Sequence, residues 1–225
     1  MKNKYCKGTH LSERKFRELI KLFSADIEAK KIALLINVNV KTVNRILLLL
    51  RKRIAGLAEQ ESVFSSGEIE IDESFFGARR VRGKRGRGAR GKTIVFGMKK
   101  RNGNVYTQIV RNCSSRELLP IIQEHADSKA VIYSDEWKAY DGLVNFGYKK
   151  HYRVTHSKDV FANGRAHVNG IENFWGVAKT RLTKFRGMNK NTFYFHLKET
   201  EWRFNHRHEN IYVLLLREFR FKPLD

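Results

Sequence analysis

The stretch Ala166–Lys179, AHVNGIENFWGVAK, restricts the fold more than any other part of the sequence. Its apolar residues recur with the spacing of one helical face, and the series continues just beyond the stretch. They are Ile171, Phe174, Trp175, Ala178 and Leu182. Glu172 and Lys179 are two turns apart, so they lie on one face beside this apolar stripe. The pattern predicts a buried helix that carries a carboxylate and a cation along one edge.

The composition indicates a polyanionic partner. The chain has 225 residues, room for one ordinary domain and a small one. Lys and Arg total 45 against 23 Asp and Glu, a formal net charge of +22. Such a charge repels itself unless a polyanion neutralises it, and nucleic acid is the commonest such partner. The hydrophobic content of 41% excludes a disordered basic tail; a ribosomal or nonspecific basic protein is the alternative.

The cysteines and the apolar runs exclude other classes. Cys6 and Cys113 are isolated, so neither a disulfide scaffold nor a cysteine zinc site is expected, and a reducing compartment fits. The apolar run Leu47–Leu50 is far shorter than the ~20 residues that span a bilayer. The N-terminus lacks a secretory apolar region. We therefore expect a cytoplasmic protein with no membrane partner.

The sequence pattern of residues 1–60 predicts a small all-α domain with a helix-turn-helix. Ser12 would cap a first helix, Asn37 can take the left-handed turn conformation, and Asn39 would cap the last helix. That helix would present polar residues to bases and phosphates. These residues are Lys41, Thr42, Asn44, Arg45, Arg51, Lys52 and Arg53. The alternative is a plain three-helix bundle whose charges only solvate it.

We call residues 1–60 the head. A polar linker at residues 61–67 separates the head from a larger domain, residues 68–225. The larger domain contains a loop of cations interleaved with glycine, which cannot build a core but can approach a phosphate chain closely. The expected DNA contacts in this loop are Arg79, Arg80, Arg82, Lys84, Arg85, Arg87, Arg90 and Lys92. A flexible solvated loop that orders only on DNA satisfies both interpretations.

The pattern of the larger domain predicts mainly strands first and then helices. Residues 68–73 alternate polar and apolar, which places Glu68, Glu70 and Asp72 on one face of a strand. Further strands are predicted at 93–98, 105–110, 130–133 and 148–154, and helices at 115–126, 169–182, about 191–205 and 212–219. This order matches an α/β fold with a ribonuclease-H-like mixed sheet flanked by helices. In that arrangement the first and fourth strands are central neighbours, so Asp72 and Asp135 would meet beside the helix that carries Glu172.

Three converging carboxylates repel one another unless cations neutralise them. Two Mg²⁺ or Mn²⁺ ions are a common solution for phosphoryl transfer, with one activating a water or hydroxyl and the other stabilising the leaving oxygen. Lys179 would hold a DNA phosphate near these ions. The sequence therefore predicts a metal site formed by Asp72, Asp135 and Glu172.

Each acid also has a structural interpretation. Glu70 and Glu73 compete with Asp72 for the role on the first strand. Asp135 could cap a following helix. Glu172 lies three residues after Asn169, the spacing of a capping box.

At these residues the chain resembles a DDE transposase of the IS1595 family, whose domain is called ISXO2-like. The resemblance covers roughly residues 68–205 and depends on several motifs in the right order. They are Ile71–Gly77 followed by the Arg/Gly loop, Val95–Gly97, Tyr133–Trp137, and His167–Trp175 with Lys179. The resemblance implies a ribonuclease-H-like core, divalent metal dependence, and DNA cleavage and strand transfer at the element's terminal inverted repeats.

The resemblance also assigns roles and partners. It implies that Asp72, Asp135 and Glu172 are the catalytic triad and that Lys179 is the basic residue seven beyond the acid. Asn169 is the alternative third position, and we prefer Glu172 because a carboxylate binds a hard cation better. Many relatives carry an N-terminal cysteine zinc ribbon, but only Cys6 is present here, so we expect no zinc.

The expected partner is double-stranded DNA, both the element ends and the target. Handling two ends suggests a homodimer or higher assembly, working at the nucleoid of a bacterial or archaeal cell. The alternatives are a domesticated helix-turn-helix DNA-binding protein and a ribonuclease-H-like nuclease or resolvase without strand transfer.

Overall fold

The structure, a computed structural model, describes residues 3–62, 67–77, 92–135, 150–154, 168–185 and 187–225. The elements in chain order are α1 (Glu13–Ser24), α2 (Ala29–Leu35), α3 (Val40–Gln60), β1 (Glu68–Phe76), β2 (Thr93–Lys100), β3 (Val105–Val110), α4 (Ser115–His125), β4 (Val131–Asp135), β5 (Lys150–Val154), α5 (Asn169–Leu182), α6 (Lys190–Asn205) and α7 (Ile211–Phe221). Packing divides the chain into two compact units: Met1–Glu59 with Lys184–Asp225, and Gln60–Thr183. Within the described ranges, no helix has the length and apolar content that a bilayer crossing requires.

The connection from α2 to α3 has the local geometry predicted from the sequence. Asn37 has a φ of 49°, the left-handed conformation that asparagine tolerates. Val38 packs against the apolar core, and the side-chain oxygen of Asn39 accepts a hydrogen bond from the N–H of Lys41 at 2.8 Å. Ser12 likewise accepts a bond from the N–H of Lys15 at the start of α1. The predictions for Asn37, Asn39 and Ser12 are confirmed.

The C-terminal helices share a core with the N-terminal head. Trp202 of α6 and Leu215 and Phe219 of α7 are buried in the same cluster as Phe16 and Leu47. The sequence-based boundaries followed chain order and grouped residues 68–225 together. An apolar helix face does not specify which partner covers it, and here α6 and α7 complete the core of the head.

Ion pairs, one of them to a fully buried carboxylate, join α3 to α6 and α7. The fully buried carboxylate of Glu199 accepts hydrogen bonds from Nε of Arg51 at 2.7 Å and Nε of Arg203 at 2.8 Å. Arg53 pairs with Glu218 at 3.0 Å. Arg51 and Arg53 are therefore engaged inside this unit and do not extend the DNA-facing row that the sequence suggested.

The second unit contains a five-stranded sheet in the order β3-β2-β1-β4-β5. β1 pairs antiparallel with β2 and parallel with β4. The first and fourth strands are therefore central neighbours, and the predicted ribonuclease-H-like arrangement is confirmed.

The two faces of β1 bury different chemistry. Ile69 and Ile71 belong to an apolar cluster with Leu118 and Ile122 of α4. The alternate residues, Glu70 among them, face α5. The α5 face is thus polar although it is covered, and a covered polar group must be hydrogen-bonded.

Candidate active site

The sheet register brings the first two predicted acids to one level. Glu68 pairs with Val131 and Glu70 with Tyr133 in the parallel ladder between β1 and β4. Continued by two residues, the same register aligns Asp72 with Asp135. Asp135 ends β4, and the structure describes its backbone alone.

Helix α5 docks on β1 through two hydrogen bonds to acidic side chains. The N–H of Ile171 donates to Oε2 of Glu70 at 2.9 Å, and Nε1 of Trp175 donates to Oδ2 of Asp72 at 3.0 Å. Two strand residues rise about 6.6 Å and four helical residues about 6.0 Å. The helix and the strand therefore run in the same direction and stay in step between these two bonds.

Two glycines allow this close approach. Gly97 of β2 lies opposite Asp72, and a Cβ there would stand 2.4 Å from Cζ2 of Trp175. A Cβ on Gly170 would stand 2.7 Å from Oε2 of Glu70. Neither packing role could be predicted from the sequence, because each depends on an atom from a distant segment.

The third predicted acid and the cation share one exposed flank of α5. Gly170 lies against Lys99 of β2. Glu172 is two residues further on, about 200° around the helix from Gly170. Lys179 returns to within about 20° of Glu172. Both side chains are exposed.

The structural alternative for Glu172 is not supported by the helix start. α5 begins at Asn169, its N-cap is Val168, and no side-chain cap bond is made there. Asn169 therefore stands inside the helix and is not the cap that a capping box with Glu172 requires.

The competing acids on β1 occupy different environments from Asp72. Glu70 is only 1% exposed and accepts hydrogen bonds from Ile171 and from Nε of Arg101 at 3.1 Å. These bonds give Glu70 a role in docking α5. Glu73 is half-buried and, by strand alternation, faces away from the Asp72 side.

The donor set of the predicted site is made of oxygen atoms only. Among the side chains that the structure describes, no group of three or more His, Cys, Asp or Glu could hold a metal ion. The side chain of Asp135 lies outside that set. Carboxylates from Asp72, Asp135 and Glu172 would suit Mg²⁺ or Mn²⁺, which take oxygen ligands, so the chemistry of the residues fits the implied metal.

Cys113 lies near two acids of β1. Burial first, and then the negative charges of Glu73 and Asp72, raise the pKa of its thiol to about 11. Nothing in the sequence around Cys113 indicated this proximity.

The predicted DNA contacts of α3 fall into two groups. Lys41, Arg45 and Lys52 are exposed and lie on one stripe, with spacings of four and seven residues. Asn44 is exposed but lines a cavity of about 350 Å³ together with Lys30 and other residues of the same unit. Thr42 is half-buried.

Most of the predicted basic loop lies outside the described residues. These are Arg79, Arg80, Arg82, Lys84, Arg85, Arg87 and Arg90. Lys92 is described, and it is half-buried just before β2.

Comparison with known proteins gives a family match and a curated relative. The model of the ISXO2-like transposase domain matches residues 65–205. An uncharacterized transposase-like protein of Haemophilus influenzae is 40% identical over 114 residues, which are 51% of this chain and 91% of that protein.

Solved structures give distant likenesses. The catalytic core of BIV integrase has a TM-score of 0.41 at 13% identity, over 69% of this chain and 97% of that one. A Mos1 transposase paired-end complex with the left transposon end has a TM-score of 0.27 at 12% identity, over 97% and 82%.

Proposed function

The chain belongs to the ISXO2-like transposase family, and on that premise we propose that it binds the terminal inverted repeats of an insertion sequence and catalyses metal-dependent DNA cleavage and strand transfer. The observation that carries this proposal is the alignment of three acid-bearing elements at the level of Asp72 in β1. The register sets Asp72 level with Asp135, and Trp175 ties α5 to Asp72 within one turn of Glu172.

Asp72, Asp135 and Glu172 would hold two divalent cations, Mg²⁺ or Mn²⁺. When bound, such ions activate the attacking water or 3′-hydroxyl and stabilise the leaving oxygen. The protein's own contribution is to position groups and balance charge. Trp175 orients the Asp72 carboxylate. The two hydrogen bonds that dock α5 on β1 set the position of Glu172 along the sheet.

Lys179 would bind a phosphate of the DNA end. It is exposed on the flank of α5 that also carries Glu172. A lysine there offsets the charge of the three acids and of the DNA, and it fixes the strand in line with the carboxylates.

We assign recognition of DNA ends to the head, residues 1–60, and the chemistry to the second unit, Gln60–Thr183. The geometry of the α2–α3 turn supports a helix-turn-helix, with Lys41 and Arg45 presented on the outer stripe of α3. Thr42 and Asn44 would add polar contacts. The glycine-interleaved cations from Arg79 to Lys92 would track the phosphate backbone.

Transposition joins two element ends to a target, so the working form would be a homodimer or a larger assembly on DNA. The net charge of +22 supports a polyanionic partner of this kind.

Strand-transfer assays with end-containing oligonucleotides test the proposal. The inverted repeats that flank the gene supply the substrate sequence. Asp72→Asn, Asp135→Asn and Glu172→Gln should each lower cleavage by roughly 100-fold or more, while binding of end DNA is kept. Glu73→Gln, next to Asp72, is the matched control and should cut normally.

Three outcomes would count against parts of the proposal. Cutting without joining would indicate a nuclease, and binding without either activity would indicate a DNA-binding protein. Loss of cleavage in Asn169→Ala but not in Glu172→Gln would move the third catalytic position to Asn169.

A further inference from the structure

We infer that Glu70 is a positioning residue of the proposed active site, where its buried carboxylate fixes the first turn of α5 and so sets Glu172 relative to Asp72. The inference rests on the proposed function, because it takes Glu172 and Asp72 as the groups that must meet.

Helix α5 lacks a side-chain cap from its own N-cap residue. The first N–H groups of a helix have no partner within the helix, and an anion is favourable at this end. Val168, the N-cap of α5, supplies no side-chain acceptor. Oε2 of Glu70 accepts the N–H of Ile171 at 2.9 Å instead. The cap therefore comes from the neighbouring strand, 101 positions away in the sequence, and it joins helix to sheet.

Arg101 and Tyr133 support the carboxylate of Glu70. Arg101 donates from Nε to Oε1 of Glu70 at 3.1 Å and from Nη1 to Oε2 of Glu68 at 3.0 Å. Its guanidinium carbon lies 3.8 Å from the ring centroid of Tyr133, whose hydroxyl donates to Oε1 of Glu68 at 2.9 Å. Burial, followed by this bond to Glu68, raises the pKa of Tyr133, so the phenol stays protonated as the donor. Both Glu70 oxygens are thus held by donors that are themselves anchored.

The hydrogen-bonded group around Glu70 lies close to the proposed catalytic acids in the sheet. Tyr133 pairs with Glu70 across β4 and β1. Each lies two residues before a proposed catalytic acid, Asp135 or Asp72, and on the same face of its strand. The hydrogen-bonded group around Glu70 therefore lies next to the proposed catalytic acids, two residues earlier on the same strand faces. Helix α5 runs along β1 from this group toward Asp72.

The contact between α5 and Glu70 requires glycine at position 170. A Cβ there would meet Oε2 of Glu70 at 2.7 Å and the side chain of Lys99 at 3.2 Å. Glycine is unfavourable within a helix, so its presence in the first turn needs a reason. The carboxylate of Glu70 occupies the space that a side chain would need. Glu172 follows in the same turn, so a displacement of this turn moves it.

Gly170→Ala tests the inference, with Gly176→Ala as the matched control in the same helix. A Cβ on Gly176 meets nothing within 4 Å. A misplacement of about 1 Å can cost roughly 100-fold in rate. We expect Gly170→Ala to lower kcat for end cleavage by 10- to 100-fold, with end-DNA affinity changed by about twofold or less. Gly176→Ala should cleave at the wild-type rate.

A double-mutant cycle separates positioning from general damage. Glu70→Ala should lower kcat in the same way, and adding Gly170→Ala to it should cost little more, because the clashing carboxylate is gone. Glu70→Gln keeps the side chain's length and should recover part of the loss. The inference would be overturned if the loss of kcat in the double variant equalled the product of the two single losses. It would also be overturned if Glu70→Gln recovered none of the kcat lost in Glu70→Ala.

Amide hydrogen exchange gives a readout that does not depend on cleavage. Exchange at Ile171 and Glu172 should be faster in Glu70→Ala and Gly170→Ala and unchanged in Gly176→Ala. If the wild-type protein cuts no DNA, the proposed function fails, and the exchange pattern still decides whether Glu70 holds the helix. Wild-type exchange in Gly170→Ala would overturn the positioning role.

Discussion

The indole N–H of Trp175 donates a hydrogen bond to Oδ2 of Asp72 across 3.0 Å. Trp175 is 4% exposed and packs edge-on to Phe76 at a centroid distance of 6.0 Å. Its prediction as a core residue is confirmed. Because the indole nitrogen is only a donor, the same buried ring also orients a carboxylate. Packing and the proposed chemistry therefore meet in one side chain.

Trp175→Phe should weaken both stability and cleavage. The smaller ring keeps most of the packing but cannot donate to Asp72, so we expect a loss of roughly 1 kcal/mol or more in the free energy of unfolding. Cleavage should fall while end binding stays unchanged. Trp202→Phe is the control, because in the described structure Nε1 of this buried tryptophan has no hydrogen-bond partner. Denaturant unfolding that gives equal losses for the two variants would mean that the bond to Asp72 contributes nothing.

Gly97→Ala should destabilise the protein by about 1–3 kcal/mol, the usual range for overpacking. The new methyl group would stand 2.4 Å from Cζ2 of Trp175, and the helix would have to move away from the sheet. Gly176→Ala has open space and should be neutral or stabilising by up to ~1 kcal/mol. Thermal unfolding of the two variants checks the difference. A normal melting temperature for Gly97→Ala would show that α5 is not held this closely.

Lys41→Ala with Arg45→Ala should weaken binding of end DNA and lower the salt dependence of that binding. Each lost phosphate contact should reduce the slope of log K against log salt by about one. Arg116→Ala with Lys129→Ala removes two exposed cations from the other unit and is the control. Titrations at several salt concentrations measure both slopes. If the two double variants behave alike, the outer stripe of α3 does not contact DNA.

The thiol of Cys113 should alkylate slowly at neutral pH and faster up to about pH 11. Burial, followed by the charges of Glu73 and Asp72, raises its pKa to about 11, which leaves little thiolate at lower pH. Asp72→Asn removes one negative charge and should lower this pKa, so alkylation at a given pH becomes faster. Mass spectrometry of the Cys113 peptide gives the rate. Asp127→Asn, an exposed acid elsewhere in the unit, should leave the pH profile in place.

The order of elements and several caps could be predicted because they depend on neighbouring residues. The alternation over residues 68–73 predicted β1, and the apolar spacing after Asn169 predicted α5. Asn37 and Asn39 carried enough information to predict a left-handed turn and a cap. Arg51 was misjudged, because its residue type suggests phosphate contact while its position in the fold pairs it with the buried Glu199.

The sequence by itself determined which segments are helices and strands, and it set one acid within β1, one at the end of β4 and one on an edge of α5. Such features follow from periodicity within a single segment. Only the tertiary structure decided that Glu70 caps α5, that Trp175 holds Asp72, and that α6 and α7 complete the core of the head. The two hydrogen bonds join residues that are 101 and 103 positions apart in the sequence. Their partners depend on sheet register and helix docking, which no local pattern records.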